Sequence, residues 1–252
     1  MDKNTFWIVI PAYNEEKLIS DTLHALSDQT DKDFVVVVVD NNSTDKTRSI
    51  LDAYKKTNQL NLRIVSELQK GTGAASDTGF RYATAHGAKY IARTDSDALP
   101  AADWVAVLKR GFSSGLLFIG GRIAPRTDEE SYRWYDGIFF NTIIRTFEFA
   151  PRFFFKQPDH KYPLFMAPGL NMAITAELYE QVGGFPRSAI DDTDEDLELH
   201  HKVCSTIEGH QAKLMKDARV YGSIRKGKAM GYLGIMLWYW NRKRIPVTVD
   251  VR

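Results

Sequence analysis

Two pairs of acidic residues have a spacing that could support chemistry, and the first is Asp95 and Asp97, separated by Ser96. They directly follow the apolar segment 90–93, which predicts a strand. Two carboxylates at the end of a strand can turn toward one cation, and hard oxygen ligands suit Mg²⁺ or Mn²⁺ together with phosphate oxygens. Aspartate and serine are also common in solvated turns, so the motif by itself leaves both interpretations open.

The second acidic pair is Glu195 and Asp196, near the start of a predicted helix over residues 194–204. A helix N-terminus carries partial positive charge and favours ionised carboxylates, so the pair could serve only to start the helix. A general base that takes a proton from an acceptor hydroxyl would show the same pattern. The pair is therefore a candidate catalytic site as well as a helix start.

Polar residues also follow the valine-rich segment 34–39, which predicts a strand buried on both faces. Asp40 could accept a hydrogen bond from a nucleobase, and the Asn42 amide offers both a donor and an acceptor. Asn42, Ser43 or Thr44 could equally cap the helix that follows. Nucleotide binding and helix capping therefore both stay open for this loop.

The loop Pro11-Ala12-Tyr13-Asn14-Glu15 follows the first predicted strand. Pro11 is expected to end that strand, and Asn14 is expected to cap the next helix. Tyr13 could in addition stack on a nucleobase, and Glu15 could bind a ribose hydroxyl. This loop also has both a structural and a ligand-binding interpretation.

Short apolar segments alternate with amphipathic ones over the first half of the chain. The predicted strands are residues 6–10, 34–39, 62–68, 90–93 and 116–119, and the predicted helices start near residue 14 or cover 47–54 and 74–88. Strands separated by helices imply right-handed crossovers and a largely parallel sheet, in which ligands bind beyond the carboxyl ends of the strands. Three of these ends carry the polar loops described above.

The 252 residues have the composition of a globular protein, with 44% hydrophobic and 26% charged residues. A net charge of +1 argues against a nucleic-acid partner, because nucleic-acid binders usually have a clear basic excess. The single cysteine, Cys204, and the lack of a signal-peptide pattern favour a reducing cytoplasm. No apolar run approaches the ~20 residues that span a bilayer, so a soluble cytoplasmic chain is expected.

The second half of the chain is rich in aromatic residues, particularly over residues 131–155. Residues 231–244 hold a further apolar and aromatic stretch, 231–240, followed by the cations Arg242, Lys243 and Arg244. The cations Arg225, Lys226 and Lys228 precede it. Such a stretch could lie peripherally on the inner face of the cell membrane or form an ordinary packing helix. Peripheral membrane contact and internal packing therefore both stay open.

Taken together, these motifs resemble the inverting family 2 glycosyltransferases of the GT-A fold. The segments that carry the resemblance are residues 8–16, 39–45, 95–97, 182–185 and 195–199. Each motif is weak alone, but five in the family's order are specific. The resemblance implies an α/β fold whose Rossmann-like, mostly parallel central sheet is flanked by helices. It also implies one domain, with a nucleotide-sugar-binding lobe at about 1–125 and an acceptor-side C-terminal lobe with a helical tail at about 126–252.

The implied enzyme moves a sugar from a nucleotide-diphosphate donor to a hydroxyl of a saccharide or lipid-linked saccharide, with inversion, without processivity and with Mn²⁺ or Mg²⁺. Asp196, with Glu195 beside it, would be the catalytic base. Asp97, with Asp95, would bind the metal. The nucleotide-sugar site would comprise Pro11, Ala12, Tyr13, Asn14, Glu15, Asp40, Asn42, Gly71, Asp77, Asp95 and Ser96. The acceptor side would include Asn171, Gly183 and Gly184.

Two departures from the family pattern suggest alternatives. Ser76 and Asp77 stand where the family often has arginine and asparagine, so a non-catalytic nucleotide-sugar-binding protein is one alternative. A sugar nucleotidyltransferase is another, although residues 11–16 are not the glycine-rich phosphate loop that such enzymes usually carry. The Gln-x-x-Arg-Trp motif of processive synthases does not occur after Asp196, which argues against that class.

Overall fold

The computed structural model describes residues 3–142, 144, 165, 167–187, 195–231 and 234. The strands in this part of the chain are β1 (Phe6–Ala12), β2 (Val35–Asp40), β3 (Leu62–Ser66), β4 (Tyr90–Arg93), β5 (Leu99–Pro100), β6 (Phe118–Pro125), β7 (Met172–Thr175) and β8 (Ala212–Gly222). The helices are α1 (Ile19–Ser27), α2 (Thr47–Lys55), α3 (Thr72–Ala85), α4 (Trp104–Ser113), α5 (residues 134–142), α6 (Ala176–Gln181), α7 (Glu195–Thr206) and α8 (Arg225–Met230). Each of the five predicted strands is present; β4 has the predicted ends, and the ends of the other four are shifted.

The strands of the described chain form one sheet in the order β3-β2-β1-β4-β7-β6-β8-β5. The pairs β3-β2, β2-β1, β1-β4 and β6-β8 are parallel. The strand β7 runs antiparallel to β4 and β6, and β5 runs antiparallel to β8. The predicted α/β fold with a mostly parallel central sheet is therefore confirmed.

Apolar side chains cover both faces of the sheet, which explains the run of five valines in β2. On one face, Leu23, Leu51 and Trp104 from α1, α2 and α4 lie in a buried cluster. On the other face, Phe80 and Tyr179 from α3 and α6 pack in a second cluster. A strand that is covered on both sides needs apolar residues on both faces, and β2 has them from Val35 to Val39.

Pro11 lies inside β1 instead of ending it, because the strand runs to Ala12 and Pro11 is paired with Val39 of β2. The predicted strand end is therefore wrong. Val9 O accepts a hydrogen bond from Thr94 N on the β4 side of the strand. The backbone nitrogen of Pro11, two residues further on, points to the same side of β1, at a level where β4 has already ended. Its missing N–H therefore removes no bond of the ladder.

The loops after β1 and β2 hydrogen-bond to each other. The N-cap of α1 is Leu18 and that of α2 is Lys46, and neither side chain makes a capping bond. The predicted caps at Asn14 and at residues 42–44 are therefore wrong. Instead, Asn14 Oδ1 accepts a hydrogen bond from Thr44 N at 2.8 Å, and Asn14 N donates one to Ser43 Oγ at 3.1 Å. Each loop thus satisfies backbone groups of the other, and both are held at the carboxyl edge of the sheet.

The two aromatic stretches fall largely outside the described residues. In the stretch 131–155, residues 134–142 form α5, which exposes Trp134 and Ile138. Most of the rest of this stretch is not described. Of residues 231–244, only two glycines are described. Within the described ranges, no helix is long and apolar enough to cross a membrane.

Helix α3 lies close against β1 and β2, and Gly79 permits this approach. A Cβ built at Gly79 would stand 2.4 Å from Val9 Cγ1 and 2.9 Å from Val39 Cγ2. Both valines are β-branched side chains in central strands, so they have little rotameric freedom to move aside.

Gly79→Ala should lower the free energy of unfolding by about 1–3 kcal/mol, the usual cost of adding a methyl group to a packed core. At an open helix position the same substitution would stabilise the protein by about 1 kcal/mol through helix propensity. Urea unfolding followed by circular dichroism shows whether the substitution lowers or raises the free energy of unfolding. A higher unfolding midpoint in the variant would show that α3 does not press on the sheet at this residue.

Candidate active site

A cavity of about 260 Å³ lies at the carboxyl ends of β1 and β4. The parallel strands β1, β2 and β4 end at the same edge of the sheet, so the loops that follow them meet there. The predicted site residues that line the cavity are Pro11, Ala12, Tyr13, Glu15, Gly71, Asp95, Ser96 and Asp97. The fold therefore brings the loop after β1 and the Asp-Ser-Asp motif after β4 to one surface.

Four lining residues were not among the predicted ones: Asn41, Lys70, Thr72 and Ala75. Lys70 Nζ lies 5.5 Å from the centroid of the Tyr13 ring and brings a positive charge to a wall rich in carboxylates. The Asn41 side chain accepts a hydrogen bond from Gly71 N and donates to the carbonyls of Glu67 and Gln69, in the loop after β3. A lone lysine in a loop has no periodic pattern, so sequence reasoning had no signal for Lys70.

Asn14, Asp40 and Asn42 do not line the cavity, which departs from the prediction. Asn14 and Asn42 have left-handed backbones, with φ of 54° and 62°, a conformation that asparagine adopts more readily than most residues. Asp40 is buried beside Ala12, and its Oδ1 accepts a hydrogen bond from Ser43 N at 3.1 Å. Turn geometry thus accounts for these side chains.

Asp77 also lies away from the cavity, where it binds three other side chains. Its carboxylate accepts hydrogen bonds from Tyr179 Oη at 2.9 Å, from Arg81 Nε at 3.0 and 2.9 Å, and from Arg187 Nη1 at 3.3 Å. Tyr179 Oη in turn accepts from Phe185 N at 3.0 Å. The acid that replaces the family's asparagine is therefore an anchor between α3 and the turn after α6.

Gly183 and Gly184 form that turn, with left-handed φ values of 78° and 73°. A Cβ built at Gly184 would stand 2.8 Å from Asp77 Oδ1, so the close approach requires glycine. Lys202 Nζ donates a hydrogen bond to Gly184 O at 3.3 Å. The turn predicted for the acceptor side thus links α3, α6 and α7.

Asn171, also predicted for the acceptor side, is fully buried and has a structural role. Its Oδ1 accepts a hydrogen bond from Trp104 Nε1 at 2.9 Å, and its Nδ2 donates to the carbonyls of Arg122 and Ala218. These contacts fix the 3-10 turn that begins at Gly169. A Cβ built at Gly169 would stand 2.0 Å from Asp196 Oδ2, so the carboxylate lies directly against the glycine backbone.

Arg93 joins the two acidic pairs of the sequence. Its guanidinium is buried at the end of β4, and Nη1 donates to Asp196 Oδ1 at 2.7 Å while Nη2 donates to Asp95 Oδ1 at 3.4 Å. Glu195 Oε1 lies 4.0 Å from Nη2. The pKa of Glu195 is raised to about 7, chiefly by burial and next by the charge of Asp196, while Arg93 lowers it. Arg93 was not among the predicted site residues.

Arg225, the first residue of α8, pairs with two of the predicted site acids. Its Nη2 donates to both Glu15 carboxylate oxygens at 3.0 and 2.9 Å, and to Asp97 Oδ2 at 2.8 Å. The pKa of Glu15 is raised to about 7, chiefly by burial and next by the charge of Asp97, while Arg225 lowers it. Sequence reasoning missed this role, although the surplus of acids at the strand ends was a signal that a cation must join them.

Two of the cations before the second aromatic stretch, Arg225 and Lys228, have partners inside the protein. Arg225 binds Glu15 and Asp97, and Lys228 Nζ lies 2.6 Å from Oδ2 of the buried Asp136. These ion pairs give both side chains a packing role within the protein, which was one of the two roles considered for this region.

The carboxylates around the cavity fit a divalent cation in their chemistry. Glu15, Asp95 and Asp97 present the hard oxygen atoms that Mg²⁺ and Mn²⁺ prefer. In the part of the chain that the structure describes, no three His, Cys, Asp or Glu side chains are gathered as a ready ligand set. An ion held by Asp97 would therefore complete its shell from phosphate oxygens and water, as Mg²⁺ usually does.

The raised pKa of Glu195 predicts a pH-dependent stability. Because the folded-state pKa of about 7 exceeds the usual 4.5, the folded chain binds this proton more tightly than the unfolded chain. The contribution of Glu195 to stability therefore falls as the pH rises through that interval. Glu195→Gln should raise Tm, relative to the wild type, more at about pH 8 than at about pH 5.

The matched control is Glu198→Gln, which removes the same charge from an exposed position of α7 that pairs with Lys202. Calorimetry at both pH values measures the effect. A gain in Tm that is equal at the two pH values, or equal in the control, would contradict the assignment to Glu195.

Comparisons with known proteins point to one family. The sequence model of glycosyl transferase family 2 matches residues 7–183, which leaves Asp196 and Arg225 beyond the matched segment. Glycosyltransferase AglE of Haloferax volcanii is 27% identical over 249 residues, spanning 93% of this chain and 74% of that protein. The putative teichuronic acid biosynthesis glycosyltransferase TuaG of Bacillus subtilis is 37% identical over 91 residues, spanning 36% of this chain and 34% of that protein.

Solved structures share the fold. The mannosyltransferase PcManGT from Pyrobaculum calidifontis, in complex with GDP-Man and Mn²⁺, has a TM-score of 0.64 and 24% identity over 98% of this chain and 67% of that chain. Glucosyl-3-phosphoglycerate synthase from Mycobacterium tuberculosis, in complex with Mn²⁺, UDP and glucosyl-3-phosphoglycerate, has a TM-score of 0.61 and 19% identity over 97% of this chain and 82% of that chain. This chain spans 58% of the S. aureus TarS 1–349 structure, at a TM-score of 0.63.

These neighbours confirm the predicted GT-A architecture. With the family match over most of its length, the chain belongs to glycosyl transferase family 2 and is a glycosyltransferase.

Proposed function

We propose that this enzyme moves a sugar from a nucleotide-diphosphate donor to an acceptor hydroxyl, with inversion at the anomeric carbon and without processivity. The observation that carries the proposal is the position of Arg93. One guanidinium contacts Asp196 Oδ1 at 2.7 Å and Asp95 Oδ1 at 3.4 Å, so it spans the gap between the cavity and the candidate base. A base this close to the donor suits direct attack by the acceptor hydroxyl.

The cavity wall supports a nucleotide-diphosphate donor. Tyr13 offers a ring face to a base, Lys70 adds a cation beside that ring, and Asp97 offers oxygen atoms to a divalent cation. The related mannosyltransferase structure holds GDP-Man with Mn²⁺, and the related synthase structure holds UDP with Mn²⁺. These ligands support the same donor class for this chain, with Mn²⁺ or Mg²⁺ as the cation.

In the proposed reaction, Asp196 accepts the proton of the acceptor hydroxyl while the oxygen of that hydroxyl forms a bond to the anomeric carbon. The bond from that carbon to the diphosphate oxygen breaks, and its electron pair leaves with the nucleoside diphosphate. A divalent cation at Asp97 would neutralise the charge of the departing diphosphate. Arg93 holds Asp196 Oδ1, which leaves Oδ2, beside Gly169, to receive the proton.

The acceptor would lie against α7 and the turn that begins at Gly169, because those elements surround Asp196. In this arrangement the residues that line the donor cavity all lie in the part of the chain up to about 125, and the residues that follow contribute the base and the acceptor side. A saccharide or lipid-linked saccharide hydroxyl is the acceptor class that we assign to it.

The alternative of a non-catalytic binder rested on Ser76 and Asp77. Both residues are buried and neither lines the cavity. Their side chains therefore form no part of the cavity wall in this chain, and the retained Asp196 favours a catalyst. Membership of the glycosyltransferase family likewise disfavours a sugar nucleotidyltransferase.

Asp196→Asn should lower kcat by about 10²–10⁴-fold, the usual contribution of a general base, while donor affinity stays close to that of the wild type. The donor is found first, by thermal stability with UDP-, GDP-, dTDP- and CMP-linked sugars with and without Mn²⁺. Transfer to water can be followed where the acceptor is unidentified.

Glu198→Gln, on the same helix, is the control and should keep wild-type kcat. An unchanged kcat in Asp196→Asn would show that another group takes the proton. Loss of donor binding in that variant would show that Asp196 has a structural role instead.

A further inference from the structure

Arg225 lies between two acids of the proposed donor site. Its Nη2 makes hydrogen bonds of 2.8–3.0 Å with Glu15 and Asp97, and its Nε donates to Ser223 Oγ at 3.3 Å. Its side chain is 25% exposed, so these ion pairs are partly shielded from water and are stronger than exposed ones. The guanidinium is thus fixed at the carboxylate that the divalent cation would use.

The surrounding charge requires a cation at this position. Glu15, Asp95 and Asp97 line the same cavity, and like charges at short distance repel one another in a partly buried site. With donor bound, a divalent cation would satisfy this requirement. Without donor, Arg225 supplies that cation, because its single positive charge is paired with both Glu15 and Asp97.

We propose that Arg225 is a resident cation of the donor site, which holds Asp97 in the donor-free enzyme, yields it to the divalent cation and then binds the donor diphosphate. The inference rests on the proposed function, in which Asp97 receives the cation. A guanidinium and a divalent cation repel each other and compete for the same Asp97 oxygen. A diphosphate offers the displaced guanidinium new acceptor oxygens in a geometry that suits arginine.

The consequence is a coupling between cation and donor. A bare ion has to break the bonds of Arg225 to Asp97 without giving the guanidinium another partner, so it binds weakly. A nucleoside diphosphate supplies that partner and should strengthen ion binding. By linkage, the ion strengthens nucleotide binding by the same factor. Cation and donor would therefore enter the site together.

Mn²⁺ binding followed by electron paramagnetic resonance, with and without UDP or GDP, measures this coupling without turnover. In the wild-type protein the nucleotide should tighten Mn²⁺ binding about tenfold or more, after correction for the Mn²⁺ that free nucleotide holds. In Arg225→Met, bare Mn²⁺ should bind about tenfold more tightly than in the wild type, and the enhancement by nucleotide should largely disappear. A merely structural role for Arg225 would not tighten ion binding.

Three further variants make the result specific. Arg225→Lys keeps the positive charge and should resemble the wild type more than Arg225→Met does. Arg48→Met removes a positive charge from an exposed pair with Asp52 on α2 and should leave Mn²⁺ affinity unchanged. Ser223→Ala loosens Arg225 without changing any charge and should shift Mn²⁺ affinity in the direction of Arg225→Met. It also tests the proposal if Arg225→Met fails to fold.

Mn²⁺ binding that is unchanged or weaker in Arg225→Met, or in Ser223→Ala if that variant has to replace it, would overturn the inference. Asp97→Asn separates this failure from failure of the proposed function, because it should weaken Mn²⁺ binding whatever the role of Arg225. If Asp97→Asn binds Mn²⁺ as the wild type does, the ion does not use Asp97. The metal part of the proposed function and the inference would then both be overturned.

Discussion

The site depends on one buried guanidinium surrounded by carboxylates. Arg93 is 2% exposed at the end of β4, and Asp95, Glu195 and Asp196 all lie within 4.0 Å of it. A buried charge is tolerated only when it is paired, and removal of one partner of such a pair typically costs about 3–5 kcal/mol. The end of β4 and the start of α7 are therefore held in one arrangement, which fixes the candidate base relative to the acid that faces the donor cavity.

The sheet explains why this interaction can form. The strand β4 has parallel β1 on one side and antiparallel β7 on the other, so its carboxyl end borders both the cavity and the turn that precedes β7. Gly169 in that turn leaves room for the Asp196 carboxylate, and Asn171 fixes the turn through Trp104 and two carbonyls. In the proposed reaction the buried amide of Asn171 would therefore act through the backbone turn that lies against the candidate base.

Sequence patterns predicted the features that depend on local residues. Apolar segments and the polar loops that end them place the strands, the cavity edge and the two acidic pairs. The same patterns could not predict pairings across the chain, such as Arg93 with Asp196, 103 positions apart, or Arg225 with Asp97, 128 positions apart. Asp77 shows the same limit: as a departure from the family pattern it suggested altered donor contacts, whereas its partner Tyr179, 102 positions away, makes it a structural anchor.

The central role of Arg93 is tested most directly by measuring kcat for Arg93→Lys. Lysine keeps the charge but loses the planar fork that contacts Asp95 and Asp196 together. With saturating donor and acceptor, kcat should fall about 10²-fold, as expected when a catalytic group is slightly misplaced, while the Kd of the nucleoside diphosphate changes little. A kcat equal to that of the wild type would contradict this role, because the base would then be positioned without the shared guanidinium.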